Sequence, residues 1–195
     1  MAVKRSTRGG RDELRESLIG GFGRQYVRFG HSELMGRTVG QLLCAEEPLT
    51  VEEIAARLGV SKSPVNQIAR RLEQLNLVRR IRKPGDRKHY YEISPRVFLQ
   101  AATNLYGLYE ENLRLADASL RAALARLAGE RGAVADATRL LCERLIDMRE
   151  FHVHLVETYR RFIEEWNEAE MELPPVETYA KRLGAVPAVS ARSVL

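Results

Sequence analysis

The sequence predicts a mainly α-helical fold that contains one small β-hairpin and continues into long helices towards its C-terminal end. Three observations support this prediction. Two short amphipathic segments follow each other across a glycine within residues 50–75. A strand-like segment then reaches Pro84-Gly85-Asp86, which has the chemistry of a tight turn. Residues 94–168 repeat apolar side chains at helical spacing, with an interruption around Gly129 and Gly132.

The composition is that of a folded chain without a membrane-spanning segment. Of its 195 residues, 45% are hydrophobic and 29% are charged, which allows both a core and a hydrated surface. There is no apolar run of about eighteen residues and no apolar stretch behind the first charges, so we expect a cytoplasmic location. Cys44 and Cys142 lie far apart, which excludes a disulfide scaffold and a cysteine zinc site and favours structural thiols.

Positive charge is concentrated in one part of the chain. Residues 57–88 hold ten basic and two acidic side chains, a net charge of +8, whereas the whole chain carries +5. A basic island in an otherwise acidic body predicts a polyanionic partner. Residues 1–11 carry basic charges and no acidic ones, and we interpret them as a disordered arm.

Residues 50–75 predict a helix-turn-helix. Thr50 and Glu53 have the spacing of a capping box at the start of the first helix, and Gly59 suits the left-handed residue that ends it. Ser61 suits the N-cap of the second helix. The second helix has an apolar stripe on one face and, on the other, a polar row that contains no acid.

A β-hairpin is predicted directly after the second helix. Residues 77–83 and 89–93 have strand character, and we expect Leu77 and Ile81 to share one strand face and to meet Tyr91 and Ile93 across the hairpin. A hairpin in this position is a wing, and together with a three-helix core it forms a winged helix-turn-helix over residues 12–93. The basic tip of such a wing is placed to follow a DNA backbone or to enter the minor groove.

These features predict a surface for double-stranded DNA. The expected contacts from the second helix are Ser61, Lys62, Ser63, Asn66, Gln67, Arg70 and Arg71, and those from the wing are Arg82, Lys83, Arg87 and Lys88. Amide side chains suit adenine and a guanidinium group suits guanine, so we expect Asn66, Gln67 and Arg70 to read bases. The remaining cations are expected at phosphates or in the minor groove.

Residues 48–93 resemble the winged helix of MarR-type transcriptional regulators, in particular their GbsR-like branch. The resemblance rests above all on the wing, Gly85-Asp86-Arg87-Lys88 followed by Tyr90-Tyr91, and residues 36–43 resemble the small-residue helix that precedes the motif in that branch. It implies a homodimeric regulator on a palindromic operator, a repressor that a small molecule modulates. It also implies that Asp86 orients a neighbouring arginine.

Residues 94–168 predict long helices that dimerise. The second of them spaces its apolar residues by alternating steps of four and three, as in a helix-packing seam: Leu141, Leu145, Met148, His152, Leu155, Tyr159, Phe162 and Trp166. The partner helix comes either from the same chain or from a second copy, and we favour a dimer. A hairpin within one chain would leave a second apolar surface with these candidate members: Leu108, Leu115, Ile146, Val153, Val156 and Ile163.

Aromatic residues on the long helices form a candidate effector site. They are Tyr106, Tyr109, Phe151, Tyr159, Phe162 and Trp166. Next to carboxylates, such rings would hold a quaternary ammonium group through cation–π attraction, although the same spacing is first of all that of a helix core. The chain has no catalytic motif, so we expect neither an enzyme nor a cofactor, and the two-residue spacing of His152 and His154 argues against a metal site.

A second interpretation of the sequence stays open. In it the chain binds DNA without sequence preference, or acts as a structural or adaptor protein that uses the winged helix for assembly. Residues 169–195 form a tail, in which one short helix is expected over residues 176–183.

Overall fold

Helices make up most of the chain, as predicted, and a small sheet accompanies them. The computed structural model describes residues 3–170 and 173–184, and side chains within 10–169 and 173–184. The elements in chain order are α1 (Val3–Arg28), α2 (Glu33–Leu43), β1 (Leu49–Thr50), α3 (Val51–Leu58), α4 (Lys62–Gln74), β2 (Val78–Ile81), β3 (Tyr90–Ile93), α5 (Val97–Leu127), α6 (Gly132–Glu170) and α7 (Val176–Arg182). Two compact units, Met1–Leu105 and Tyr106–Leu195, divide the chain within α5.

The first unit is a winged helix, and its local signals lie where the sequence predicts them. The Thr50 amide donates to Glu53 Oε2 at 2.7 Å and the Glu53 amide donates to Thr50 Oγ1 at 3.2 Å, so the capping box is confirmed. Gly59 ends α3 in the left-handed conformation with φ 67°. Ser61 is the N-cap of α4 by position, but its side chain makes no capping hydrogen bond.

The sheet has three antiparallel strands in the order β1-β3-β2, one more strand than the sequence predicts. The predicted strand face is wrong. Leu77 precedes β2 because its amide bonds to the Leu72 carbonyl at the end of α4. Val78 lies opposite Ile93 and Arg80 lies opposite Tyr91, so Tyr91 and Ile93 meet the other face of β2 and not the one that Leu77 and Ile81 share. Val78 and Tyr91 are the buried residues of β2 and β3, while Ile81 pairs with Tyr90.

One hydrophobic core joins α1 and α2 to the helix-turn-helix and the sheet. Its most deeply buried side chains include Leu42, Ile54, Val65 and Leu72. The first two helices approach closely: a Cβ built at Gly36 would lie 2.3 Å from the Phe22 carbonyl oxygen. A glycine on α2 therefore fixes the distance at which α1 packs against the winged helix.

The N-terminal segment differs from the expected disordered arm. Residues 3–11 belong to α1, and Met1 and Ala2 lie outside the described residues. Extending an existing helix adds one hydrogen bond for each residue that is fixed, and residues 3–11 contain no proline to oppose the extension. The Arg11 side chain also forms an ion pair with Glu46 at 3.1 Å.

The second unit is an antiparallel helical hairpin of α5 and α6. Arg149 Nε donates to Asp117 Oδ1 at 2.7 Å, and the Asn112 amide nitrogen lies 3.3 Å from His152 Nε2. The His152 and Tyr159 members of the predicted seam thus contact α5 of the same chain, the alternative that we favoured less. A periodic apolar pattern indicates that a helix has a partner and does not specify which chain supplies it.

The hairpin still leaves apolar side chains uncovered. The exposed ones on α5 and α6 include Leu108, Leu115, Leu140, Leu141, Ile146, Phe151 and Phe162. Three members of the predicted second surface, Val153, Val156 and Ile163, are half-buried instead. Helix α7 agrees with the short helix expected in the tail. Within residues 3–170 and 173–184, no helix is long and apolar enough to span a membrane.

Candidate nucleic-acid interface

Helix α4 turns its apolar stripe inward and its polar row outward. Val65, Ala69 and Leu72 are fully buried. Gln67 and Arg70 are exposed and Asn66 is half-buried. The exposed positions of α4 and its N-cap also include Ser61, Lys62, Ser63 and Arg71. The predicted base-reading residues therefore lie on an accessible helix face, where their hydrogen-bonding groups are available to a ligand.

Lys62, at the start of α4, is held by an ion pair. Its ammonium group contacts the Glu52 carboxylate of α3. The hydrogen bond from Lys62 holds the pKa of Glu52 below its ordinary value. The pair connects the two helices of the helix-turn-helix, so Lys62 must exchange Glu52 for a phosphate if it is to contact DNA.

The wing is braced at its turn by Asp86. One carboxylate oxygen accepts from the Lys88 amide at 2.8 Å and the other accepts from the Tyr90 hydroxyl at 2.7 Å. The hydrogen bond with Tyr90 lowers the pKa of Asp86 and raises the pKa of Tyr90. The arginine partner implied by the resemblance is absent among the described contacts, because the tyrosine on β3 occupies the carboxylate instead.

Lys83, on the other side of the turn, has two partners. Its ammonium group lies 3.2 Å from Glu47 Oε2 and 4.7 Å from the centre of the Tyr90 ring. Neither contact is among the sequence predictions. The one with Glu47 requires β1 to lie beside β3, and the one with Tyr90 requires β2 to pair with β3. Tyr90 thus contacts residues on both sides of the turn, Lys83 through its ring and Asp86 through its hydroxyl.

Within the basic island of residues 57–88, most of the cations that form no ion pair lie on α4 and on the wing. Nearer the core, Arg79 pairs with Glu92 at 2.6 Å and Arg80 with Glu73 at 3.1 Å. By contrast, five exposed cations form no ion pair with any described residue: Arg70, Arg71, Arg82, Arg87 and Lys88. A count of charges along the sequence does not distinguish paired from unpaired cations, because the pairing depends on tertiary contacts.

The candidate effector residues make pairwise contacts. Tyr109 and Tyr159 meet edge to face at 5.0 Å between ring centres, and Phe162 and Trp166 stack at 6.4 Å. The Tyr106 hydroxyl donates to Glu110 at 3.0 Å. Phe151 is exposed and contacts His152. These contacts do not gather the six rings around one point, so an aromatic cage stays a prediction.

The cysteines and histidines do not form a metal site in the described part of the chain. No group of three or more potential ligands occurs there. Cys142 is buried and Cys44 is half-buried, and both are free thiols. His152 is used in the hairpin: its Nδ1 lies 2.7 Å from the Met148 carbonyl oxygen, which fixes the orientation of the ring.

Comparison with known proteins gives consistent matches over the winged helix. A family model described as MarR family matches residues 41–89. The HTH-type transcriptional regulator MmpR5 of Mycobacterium tuberculosis is 34% identical over 92 residues, which are 47% of this chain and 56% of that protein. The HTH-type transcriptional repressor OpcR of Bacillus subtilis is 26% identical over 82 residues, 42% of this chain and 44% of that protein. The chain thus spans about half the length of these curated relatives.

A solved structure extends the likeness of fold beyond the winged helix. The crystal structure of a transcriptional regulator has a TM-score of 0.66 to this chain at 24% identity, covering 79% of this chain and 98% of the other. The fold of the first unit is therefore that of a winged helix, and the relatives that match it are described as HTH-type transcriptional regulators. The winged-helix segment is thus similar to the MarR family over residues 41–89. The names of these relatives agree with the expectation that the chain is not an enzyme.

Proposed function

We propose that the chain is a homodimeric regulator that binds a palindromic site in double-stranded DNA with sequence specificity. The observation that carries the proposal is the pairing pattern of the cations. Arg79 and Arg80 near the core are neutralised by acids, as are Lys62 and Lys83, while Arg70 and Arg71 on α4 and Arg82, Arg87 and Lys88 on the wing form no ion pair with any described residue. Phosphates supply the missing negative charge when the exposed face of α4 lies in the major groove.

The residues of this surface have different roles in the proposal. Asn66, Gln67 and Arg70 read base edges, since bidentate amide and guanidinium groups match adenine and guanine. Ser61 to Ser63 position the N-terminal end of α4. Arg71 and the wing cations bind phosphates or the minor groove, which gives affinity without selecting the sequence.

Two substitutions separate these roles. Arg87→Ala is expected to weaken binding to all duplexes alike, whereas Gln67→Ala is expected to relax the preference at one position in each half-site. Binding to a set of single-base operator variants measures both effects, and Arg139→Ala on α6 serves as an exposed arginine control. If Gln67→Ala lowered affinity uniformly across all the variants, its base-reading role would be rejected.

Dimerisation is proposed from the apolar side chains that the α5–α6 hairpin leaves exposed. Leu115 and Phe151 are each 59% exposed, an arrangement that favours burial by a second copy. A symmetric dimer places two recognition helices about 34 Å apart, one helical turn of DNA. Footprinting is therefore expected to show one palindromic site with half-sites at that spacing. A uniformly protected duplex would instead favour the alternative, a DNA-coating or adaptor protein.

We also propose that the chain is a cytoplasmic repressor of the GbsR-like branch and that a small molecule modulates it. The wing motif and the small-residue helix α2 support the branch. A reporter gene behind the operator tests repression, because its transcription should rise when the chain is removed.

A thermal-shift series with quaternary ammonium compounds tests the aromatic effector site. Tyr159→Leu should abolish any stabilisation that these compounds give if the Tyr109–Tyr159 pair holds the cation.

A further inference from the structure

An open cleft of about 360 Å³ lies within the first unit. Three helices line it. The lining residues are Asp12, Arg15, Glu16 and Ile19 of α1, Gln41 of α2 and Arg57 of α3. Its volume is at the lower end of the range of small-molecule sites in proteins, so it suits a ligand of metabolite size.

Gln41 is the unusual residue of this cleft. Its side chain is only 3% exposed, and its amide nitrogen is buried without a hydrogen-bond partner among the described residues. A buried donor that has lost its water and gained no partner destabilises a protein, so such groups are few in native structures. An unsatisfied amide at the wall of a cleft indicates that its partner comes from outside the chain.

The charges around Gln41 also lack partners. Arg15, Arg57, Asp12 and Glu16 form no ion pair or hydrogen bond with any described residue. Other charged residues of the first unit do form ion pairs: Arg11 pairs with Glu46 at 3.1 Å, and Lys83 pairs with Glu47 at 3.2 Å. The cleft therefore presents two positive and two negative groups, together with an amide, to whatever occupies it.

We propose that this cleft binds a small zwitterion of the α-amino acid type. The carboxylate of the ligand accepts from the guanidinium groups of Arg15 and Arg57, which match a carboxylate in charge and geometry, and from the Gln41 amide. The ammonium group of the ligand is held by Asp12 and Glu16. This site is separate from the aromatic residues of α5 and α6, and it does not depend on DNA binding.

Ligand-observed NMR on the full chain tests the proposal, with each of the natural L-amino acids as a probe at about 1 mM, a typical concentration for weak metabolite sites. Acetate and methylammonium, which carry one charge each, are the comparison probes. At least one amino acid is expected to bind, and both single-charge probes are expected to bind at least about tenfold more weakly. Equal binding of acetate would overturn the zwitterion assignment, and no binding by any amino acid would overturn the site.

Variants locate the binding. Gln41→Met replaces the amide with an apolar group of similar size, so it should weaken binding at least about tenfold while the melting temperature stays equal or rises. Arg57→Ala changes an exposed residue and should weaken binding to a similar extent, whereas Arg139→Ala should not. Unchanged affinity in both cleft variants would overturn the assignment. The experiment contains no DNA, so its failure leaves the proposed DNA-binding function standing.

Discussion

The winged helix and the helical hairpin differ in how completely they bury their apolar side chains. The winged helix gathers residues from its four helices α1 to α4 and its three strands into one core, in which Ile54, Val65 and Leu72 are inaccessible to solvent. Among the described residues of the second unit, only Ala116, Ala123 and Cys142 are buried, and larger apolar side chains such as Leu115 are exposed. The winged helix has a complete core of its own, whereas the hairpin has apolar surface left for a partner.

The largest expected effect is in the core of the winged helix. Leu72→Ala removes a side chain that is 0% exposed, so it should lower the free energy of unfolding by about 2–5 kcal/mol. Denaturant unfolding measures the change. Val176→Ala, at a position 79% exposed on α7, is the control and should change stability by less than about 0.5 kcal/mol. Similar losses in the two variants would contradict the contrast between buried and exposed sites.

The next prediction concerns the uncovered face of the hairpin. Phe151→Glu places a charge on the surface proposed to dimerise, and it should raise the dimer dissociation constant at least about tenfold because a buried charge without a partner is costly. Sedimentation over a range of protein concentrations measures the constant. Val176→Glu makes the same change outside α5 and α6 and should leave it unaltered. A dimer that tolerates Phe151→Glu uses a different surface.

A smaller effect is expected at the wing. Tyr90→Phe removes the hydroxyl that donates to Asp86, so DNA affinity should fall about two- to tenfold, the range expected for one hydrogen bond. The pKa of Asp86 should rise towards its ordinary value, because the Tyr90 hydrogen bond is the largest cause of its depression. NMR titration follows the carboxylate. Tyr106→Phe removes a similar tyrosine–carboxylate bond in the hairpin and should leave DNA affinity unchanged.

The smallest effect is a pH dependence at the capping box. The backbone and hydroxyl of Thr50 lower the pKa of Glu53, so the ionised carboxylate stabilises the folded state. This contribution is present above the unfolded pKa of a glutamate, about 4.3, and is lost as pH falls through the lower folded pKa. Glu53→Gln should therefore flatten the dependence of the melting temperature on pH in this acidic range. An unchanged acid slope would show that Glu53 does not contribute.

The parts of the fold that the sequence predicts are those that local chemistry determines. The Thr50–Glu53 capping box, the left-handed Gly59 and the turn at Gly85 each depend on a few adjacent residues, and all three are present. The start of β2 depends on how α4 ends, and a two-residue strand such as β1 has too little pattern to be recognised. Both features are set by tertiary contacts, which explains why the strand face and the third strand were missed.

The same limit applies to the candidate interface. The outward row of α4 follows from helical periodicity, since Val65 and Leu72 are buried while Gln67 and Arg70 are exposed. Periodicity does not predict which cations stay unpaired, because ion-pair partners such as Glu47 and Lys83 are 36 residues apart in the sequence. Periodicity on α6 likewise predicts a helical partner without saying whether that partner is α5 or a second copy.

The salt dependence of binding tests most directly the claim that α4 and the wing form one DNA-binding surface. Affinity for the operator, selected from random duplexes, is measured over a series of salt concentrations. If a dimer makes about 8–10 phosphate contacts, log K should fall against log salt with a slope of about −7 to −9. A slope shallower than about −3 would mean that too few of these cations reach the backbone, and it would contradict the surface described for this chain.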